Sequence, residues 1–158
     1  NGDVVKLVSA GTIEKDTGTA TATPVGVFVG CSYTSPALGY TLYSQYYPTG
    51  TVASDIVAYV VDDPDTLFKV AVTAAGSATM ATVARTAVGN NSVLIQTAGS
   101  TTTGDSKVSI SSTTATTATQ PVRIIDVVPE TAPTSGNYSE VIVKWNWGMH
   151  QYQNATGV

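Results

Sequence analysis

Few residues in this chain could carry out covalent chemistry. His150 is the only histidine and Cys31 the only cysteine, and no serine lies in a G-x-S-x-G nucleophile motif. A serine or cysteine nucleophile needs a base positioned beside it, and no motif joins His150 to either residue type. We therefore expect no catalytic residues and no enzymatic activity, with His150 making only local contacts near the end of the chain.

Metal and phosphate sites are also not indicated. Asp62, Asp63 and Asp65 surround Pro64, but they lack the turn glycine and distant glutamate of a calcium-binding loop, so we interpret them as a turn. One cysteine and one histidine cannot supply a tetrahedral zinc site. The glycine-containing loop at residues 99–104 lacks the Gly-Lys-Ser/Thr ending of a phosphate-binding loop. We expect no metal and no cofactor.

Composition narrows the possible partners. Only 11% of the residues are charged, the net charge is −4, and the seven lysines and arginines are scattered, so direct nucleic-acid binding is not expected. No apolar run approaches the ~20 residues that cross a bilayer, so we expect no membrane partner. With one cysteine there is no intrachain disulfide, which suits synthesis in a reducing cytoplasm, and Cys31 is expected to be a small buried apolar residue.

The positioning elements should be strands, because the chain is rich in Thr and Val and poor in helix formers. About eight short apolar or alternating runs are separated by turn signals. They cover residues 4–8, 25–33, 55–61, 66–72, 92–96, 107–111, 122–128 and 140–147. The predicted fold is all-β, a small β-sandwich or barrel of about eight short strands. We expect residues 55–61 and 66–72 to form a hairpin across the Asp-Pro turn.

At most one short helix is expected, at residues 74–87. Ala78, Ala81, Ala84 and Ala87 recur there every three residues, a spacing that can place side chains on one helix face.

The two ends of the chain are predicted to extend from one β domain at residues 24–158. Residues 1–23 are expected to be an extended N-terminal arm or an early strand, because the stretch after Gly11 is polar and has little to bury. If it is an arm, its apolar run would add a strand to a neighbouring chain. The predicted interface residues are Val4, Val5, Leu7 and Val8. Residues 150–158 are polar and are expected to form a tail.

The densest aromatic cluster is a second candidate interface. Tyr33, Tyr40, Tyr43, Tyr46 and Tyr47 fall within fifteen residues, in a stretch that also contains prolines and glycine. Tyrosine is enriched at interfaces because it offers a large apolar face with a polar tip. We predict that the last four contact another subunit or another protein. The alternative is an aromatic mini-core beneath a long loop.

The order of several segments along the chain resembles the small capsid decoration, or cement, proteins of marine tailed bacteriophages. The segments are residues 2–8 (GDVVKLV), 24–33 (PVGVFVGCSY), 62–68 (DDPDTLF), 103–108 (TGDSKV) and 143–152 (VKWNWGMHQY). They span most of the chain, but they are not chemical signatures.

The resemblance implies a β-rich, non-enzymatic virion structural protein. Such a protein would be made in the host cytoplasm and would bind the assembled shell on the capsid surface. Its partner would be the major capsid protein, and it would form a homo-oligomer, with a trimer favoured. No residue-level site is carried over. Two other classes stay open: a tail-fibre or receptor-binding domain that binds glycans, and a bacterial adhesin or carbohydrate-binding module with a leader upstream of Asn1.

A first prediction concerns the metal. Because no ligand set is evident, a chelator should leave the melting temperature unchanged, whereas a site-bound ion would stabilise the fold by mass action. Thermal melting with and without EDTA tests this expectation, and a loss of several degrees with EDTA would contradict it.

Overall fold

The computed structural model describes residues 1–131 and 138–158, and it confirms the all-β prediction. Ten strands form a five-stranded sheet followed by a closed five-stranded barrel. The sheet contains β1 (Val4–Leu7), β2 (Ile13–Lys15), β3 (Gly26–Thr34), β4 (Thr41–Ser44) and β5 (Val57–Val61). The barrel contains β6 (Phe68–Thr73), β7 (Asn91–Thr97), β8 (Lys107–Ala115), β9 (Val122–Val127) and β10 (Glu140–Trp145).

Strand β3 organises the sheet. Its first residues pair with β1 on one edge and its last residues pair with β4 further along that edge, while β5 pairs antiparallel with the opposite edge. At Gly26 the backbone of β5 approaches so closely that a β-carbon would overlap the carbonyl of Val61. Glycine is required there for β3 and β5 to pair.

The barrel closes in the order β10, β6, β8, β7, β9, with β6 and β8 parallel and the other neighbours antiparallel. Alternate side chains of each strand point into the barrel. In β10, Val141, Val143 and Trp145 are buried, whereas the residues between them are partly exposed. Ile110 and Ile124, on other strands of the barrel, are also buried. Sequence alternation therefore directs these apolar side chains into the interior of the barrel.

Sheet and barrel share one hydrophobic core. Val4 of β1 and Ala22 belong to the same buried cluster as the barrel residues, and Val27 of β3 packs against that cluster. Backbone contacts join the two parts as well, since the amide of Leu94 donates to the carbonyl of Thr19 at 3.2 Å. The chain consequently folds around a common interior.

The N-terminal segment is thus part of the sheet. Val4 pairs with Val27 of the same chain, and residues 13–15 form β2 against β1. Val4 and Val5 are only 3% and 5% exposed. Of the two interpretations of residues 1–23, the structure shows the early strand and not an arm that leaves the domain, because Val4 and Ala22 do find apolar area to bury.

The C-terminal segment is not a free tail, which corrects the expectation for residues 150–158. His150 is fully buried, with Nε2 2.8 Å from the carbonyl oxygen of Val25, and its Nδ1 accepts from the amide of Tyr152. The amide of Gln151 donates to the carbonyl of Pro24. The side chain of Gln151 accepts from the Leu7 amide at 2.6 Å and donates to the Leu7 carbonyl at 3.1 Å. Strand β3 pairs with Val4 and Val5 of β1, and the C-terminal segment binds the next part of β1 at Leu7.

The helix expected at residues 74–87 is shorter than that segment, and the predicted hairpin is absent. Residues 74–87 contain only a 3₁₀ turn at Arg85–Ala87, because their backbone groups pair with neighbouring strands: the Ala81 amide donates to Val72, and the Ala81 carbonyl accepts from Ser139. Strands β5 and β6 do not form a hairpin. The turn after β5 carries the chain from the sheet to the barrel, a topology that the turn residues alone do not reveal.

The Gln151 contact predicts a stability effect. Gln151→Ala removes two hydrogen bonds to Leu7 and should lower the free energy of unfolding by about 1–2 kcal/mol. Gln153→Ala is the matched control, because the Gln153 side chain makes no hydrogen bond within the described residues. Denaturant unfolding of both variants measures the difference, and equal losses would show that the Leu7 contact has no special role.

Candidate functional site

The sheet presents one uncovered face on β3, β4 and β5. Ser32 lies opposite Tyr43 on one side and Val57 on the other, so the three side chains share a face. Tyr59 lies on the same face, since it pairs with Gly30 and its hydroxyl is 3.1 Å from Ser32 Oγ. We refer to Ser32, Tyr43, Val57 and Tyr59 as the open face.

The large side chains of the open face are unusually exposed. Tyr43 is 78% exposed, Val57 52% and Tyr59 44%, while Ser32 between them is buried. The three strands contain no charged residue. Native sheets usually protect edge strands with lysine, proline or bulges, and contiguous apolar surface on a monomer commonly marks an interaction site. The open face therefore has the chemistry of a contact surface.

The four predicted tyrosines separate into two groups. Tyr43 lies on the open face, and Tyr40 is exposed at the hairpin that leads into β4, outside the paired strands. Tyr46 lies against Gly104, where a β-carbon would overlap its ring. Tyr47 packs edge to face on buried Tyr33, with ring centroids 5.3 Å apart. The mini-core alternative fits the packing of Tyr46, whereas Tyr47 packs on Tyr33 but keeps 36% of its surface exposed.

The predicted interface residues of β1 have different surroundings. Val4 and Val5 belong to the buried interior, so in this conformation they offer no surface to another chain. Leu7 is half-buried, and its backbone is bound by Gln151. Val8 is also half-buried and lies in the turn between β1 and β2, where its amide donates to the carbonyl of Thr12. Only the outer part of Leu7 and Val8 remains available for contact.

A second surface feature is a cleft of about 270 Å³ on the outside of the barrel. Its main side chains are Arg123, Lys144, Asp65, Trp147 and Gln153. Arg123 and Lys144 are cross-strand partners on β9 and β10. Both point outward, because they alternate with buried neighbours. We call this feature the Trp147 cleft.

Trp147 dominates the Trp147 cleft, with 80% of its surface exposed. Strand β10 ends at Trp145, whose ring packs inside the barrel 5.5 Å from Phe68, and buried Asn146 follows. Asn146 is fixed by donating to the carbonyls of Ala118 and Gln120. The chain therefore turns at Asn146 and leaves the next indole in solvent.

Of the two surfaces, sequence reasoning identified only Tyr43 of the open face and missed the Trp147 cleft. It predicted residues 55–61 as one arm of a hairpin with residues 66–72, and it extended the last strand to Trp147. The absence of charge across β3, β4 and β5 was the available signal for the open face. For Trp147 no local signal existed, since its exposure depends on the buried contacts of Asn146.

The groups with possible covalent or metal chemistry occupy structural positions. His150 is buried, and Asp63 Oδ1 accepts from the amide of Asp65 within the turn. Asp65 also pairs with Lys144 at 2.7 Å. Across residues 1–131 and 138–158, no three His, Cys, Asp or Glu side chains gather as a potential metal site. Within the same residues, no helix has the length and apolar character to span a membrane.

Comparisons with protein-family models, curated proteins and solved structures gave no significant match for this chain.

Cys31 lies on the covered side of the sheet and supplies a chemical probe of that packing. It is 2% exposed, and its thiol donates weakly to the Tyr46 carbonyl at 3.6 Å. Burial raises the pKa of the Cys31 thiol, and burial likewise raises the pKa of Tyr33 beside it. Both groups therefore ionise more readily in the unfolded chain.

This burial predicts low thiol reactivity and a specific pH dependence. Cys31 should react with a thiol reagent such as DTNB only after unfolding. The contribution of its raised pKa to stability should be complete below the unfolded thiol's pKa of about 8.5 and should be lost as the pH rises above it. Melting curves at pH 7 and at alkaline pH should show a smaller decline for Cys31→Ala than for the wild type. Rapid labelling of the folded protein would contradict the prediction.

Proposed function

We propose that this chain is a virion structural protein that decorates and stabilises the outer surface of a tailed-bacteriophage capsid. The observation that supports this function best is the open face, an uncharged surface with exposed Tyr43, Val57 and Tyr59 on a sheet that is fixed to the barrel through a shared core. A domain with one exposed, uncharged binding surface suits a protein whose role is to bind another protein. The resemblance to decoration proteins points to the same function.

The open face can supply the energy that attachment requires. Association costs roughly 4–15 kcal/mol of translational and rotational freedom, and interfaces usually recover it through a few desolvated aromatic anchors. Tyr43 and Tyr59 are two such anchors on one face, and Val57 adds aliphatic area beside them. The free edges of β4 and β5 also carry unpaired backbone groups that could add strand pairing to the contact.

The proposed partner is the major capsid protein of the assembled shell. On the shell the protein would act as a homo-oligomer, with a trimer favoured by the resemblance. Its location would then be the capsid surface of the virion, after synthesis in the host bacterial cytoplasm. Half-buried Leu7 and Val8 are candidates for contacts between copies, while the open face is the candidate for the capsid contact.

The corresponding prediction separates capsid affinity from stability. Tyr43→Ser combined with Val57→Thr should weaken binding to shells that lack the protein by about 2 kcal/mol or more, roughly thirtyfold, because both side chains are exposed anchors. The melting temperature of the free protein should change little. Co-sedimentation with purified shells and thermal melting measure the two effects.

Tyr40→Ser is the matched control, since Tyr40 is 57% exposed but lies outside the open face. It should leave shell binding unchanged. If Tyr40→Ser weakened binding while the double variant bound normally, the attachment surface would be the hairpin and not the open face.

A second candidate function is a tail-fibre or receptor-binding domain that recognises glycans. The Trp147 cleft favours it, because an exposed aromatic ring beside polar side chains is the arrangement such a domain would require. Labelling of virions with an antibody against this protein, followed by electron microscopy, distinguishes the two candidates. Hundreds of copies over the shell indicate decoration, and a few copies at the tail indicate receptor binding.

A further inference from the structure

We propose that the Trp147 cleft binds a carboxylate-bearing saccharide, such as a uronic-acid or sialic-acid unit of a surface polysaccharide. The inference does not rest on capsid decoration: it holds for a protein on the shell or on the tail, because the cleft lies on the barrel and shares no residue with the open face.

Trp147 provides the apolar part of the proposed site. An indole that is 80% exposed leaves a large apolar ring in water at a free-energy cost that burial against a ligand would remove. The C–H face of a pyranose ring is flat and apolar, so it can stack on an indole without losing the hydrogen bonds of its hydroxyls. Trp147 follows buried Asn146, and the side-chain hydrogen bonds of Asn146 hold the backbone of Trp147 in place. The ring is therefore presented by a fixed support.

Arg123 provides the anionic selectivity. Lys144 is neutralised by Asp65 at 2.7 Å, whereas no carboxylate of the described residues pairs with Arg123. The Nε of Arg123 donates to Oδ1 of buried Asn91 at 3.0 Å, which orients the guanidinium and leaves its two terminal nitrogens for a ligand. A guanidinium in this state binds a carboxylate through two parallel hydrogen bonds.

Two further polar side chains of the cleft, those of Asp65 and Gln153, suit hydroxyl recognition, while Pro64 and Ile125 add apolar area to its lining. The Asp65 carboxylate accepts hydrogen bonds, and the Gln153 amide both donates and accepts. The volume of about 270 Å³ lies just below the range of clefts that hold drug-sized molecules, so one or two sugar units are the expected occupants. An acidic peptide could also pair with Arg123. A saccharide could in addition stack on Trp147 and form hydroxyl hydrogen bonds with Asp65 and Gln153.

Titration with defined saccharides tests the site. The probes are trigalacturonate and sialyllactose, which carry carboxylates from different sugars, and the neutral cellotriose. Both tryptophans line the cleft, Trp147 exposed and Trp145 buried, so a change in tryptophan fluorescence reports that the cleft is occupied. At least one acidic probe, titrated to about 10 mM, should bind with a Kd near a millimolar, and cellotriose should bind at least about tenfold more weakly.

Variants locate the binding. Trp147→Ala should weaken binding of the acidic probe by about tenfold or more with an unchanged melting temperature, measured by calorimetry because the fluorophore is lost. Arg123→Gln should remove the preference for the acidic over the neutral probe. Tyr43→Ala is the matched control, an exposed aromatic residue outside the cleft, and it should bind normally.

Three results would overturn the proposal. They are the absence of binding by both acidic probes, equal binding of the neutral probe, and a glutamate-rich peptide that binds more tightly than either saccharide with the same dependence on Trp147. The last result would assign the cleft to an acidic protein segment. None of these results depends on shell binding through the open face. Saccharide titration therefore tests this inference, and co-sedimentation with shells tests the decoration proposal independently.

Discussion

Burial of Val4 in the core of the barrel is the contact on which the arrangement of this protein depends. A buried valine contributes about 1.5–3 kcal/mol, and Val4, Ala22 and Val27 together anchor a sheet that has few other apolar contacts with the barrel. His150 and Gln151 then hold the same sheet from the C-terminal side through Val25 and Leu7. The two ends of the chain thereby fix the sheet, so that its other strands can remain uncovered without becoming disordered.

Because the sheet is anchored near the two ends of the chain, one face of β3, β4 and β5 remains uncovered. One side of β3 is closed by the loop that carries Tyr46 and Tyr47, where Cys31 and Tyr33 are buried. The opposite side has no such cover, and the exposed side chains of the open face keep their full contact area for a partner. An uncharged face with two free edges is a liability for a protein alone in solution, because it invites pairing with other strands. Coverage by a partner, as proposed above, would remove this liability.

Alternation and composition were enough to predict the fold class, because Val108 and Ile110 or Val141 and Val143 have the same periodicity in the sequence as in the barrel. They could not predict which strands pair, since β5 and β6 are consecutive apolar-rich strands yet belong to different sheets. The candidate site was found in part. Tyrosine density drew attention to Tyr43, but neither the packing of Tyr46 on Gly104 nor the exposure of Trp147 has a local sequence signal.

The charge distribution explains why the open face, whose strands carry no charged residue, relies on short-range contacts. Ion pairs occupy Lys6, Lys15, Lys69, Arg85 and Lys144, so little positive charge is left to attract partners from a distance. With a Debye length near 8 Å at physiological salt, a net charge of −4 steers association only weakly. Binding must then depend on aromatic and aliphatic burial after encounter. Such burial resists changes in ionic strength, a property that would suit the proposed attachment to a capsid.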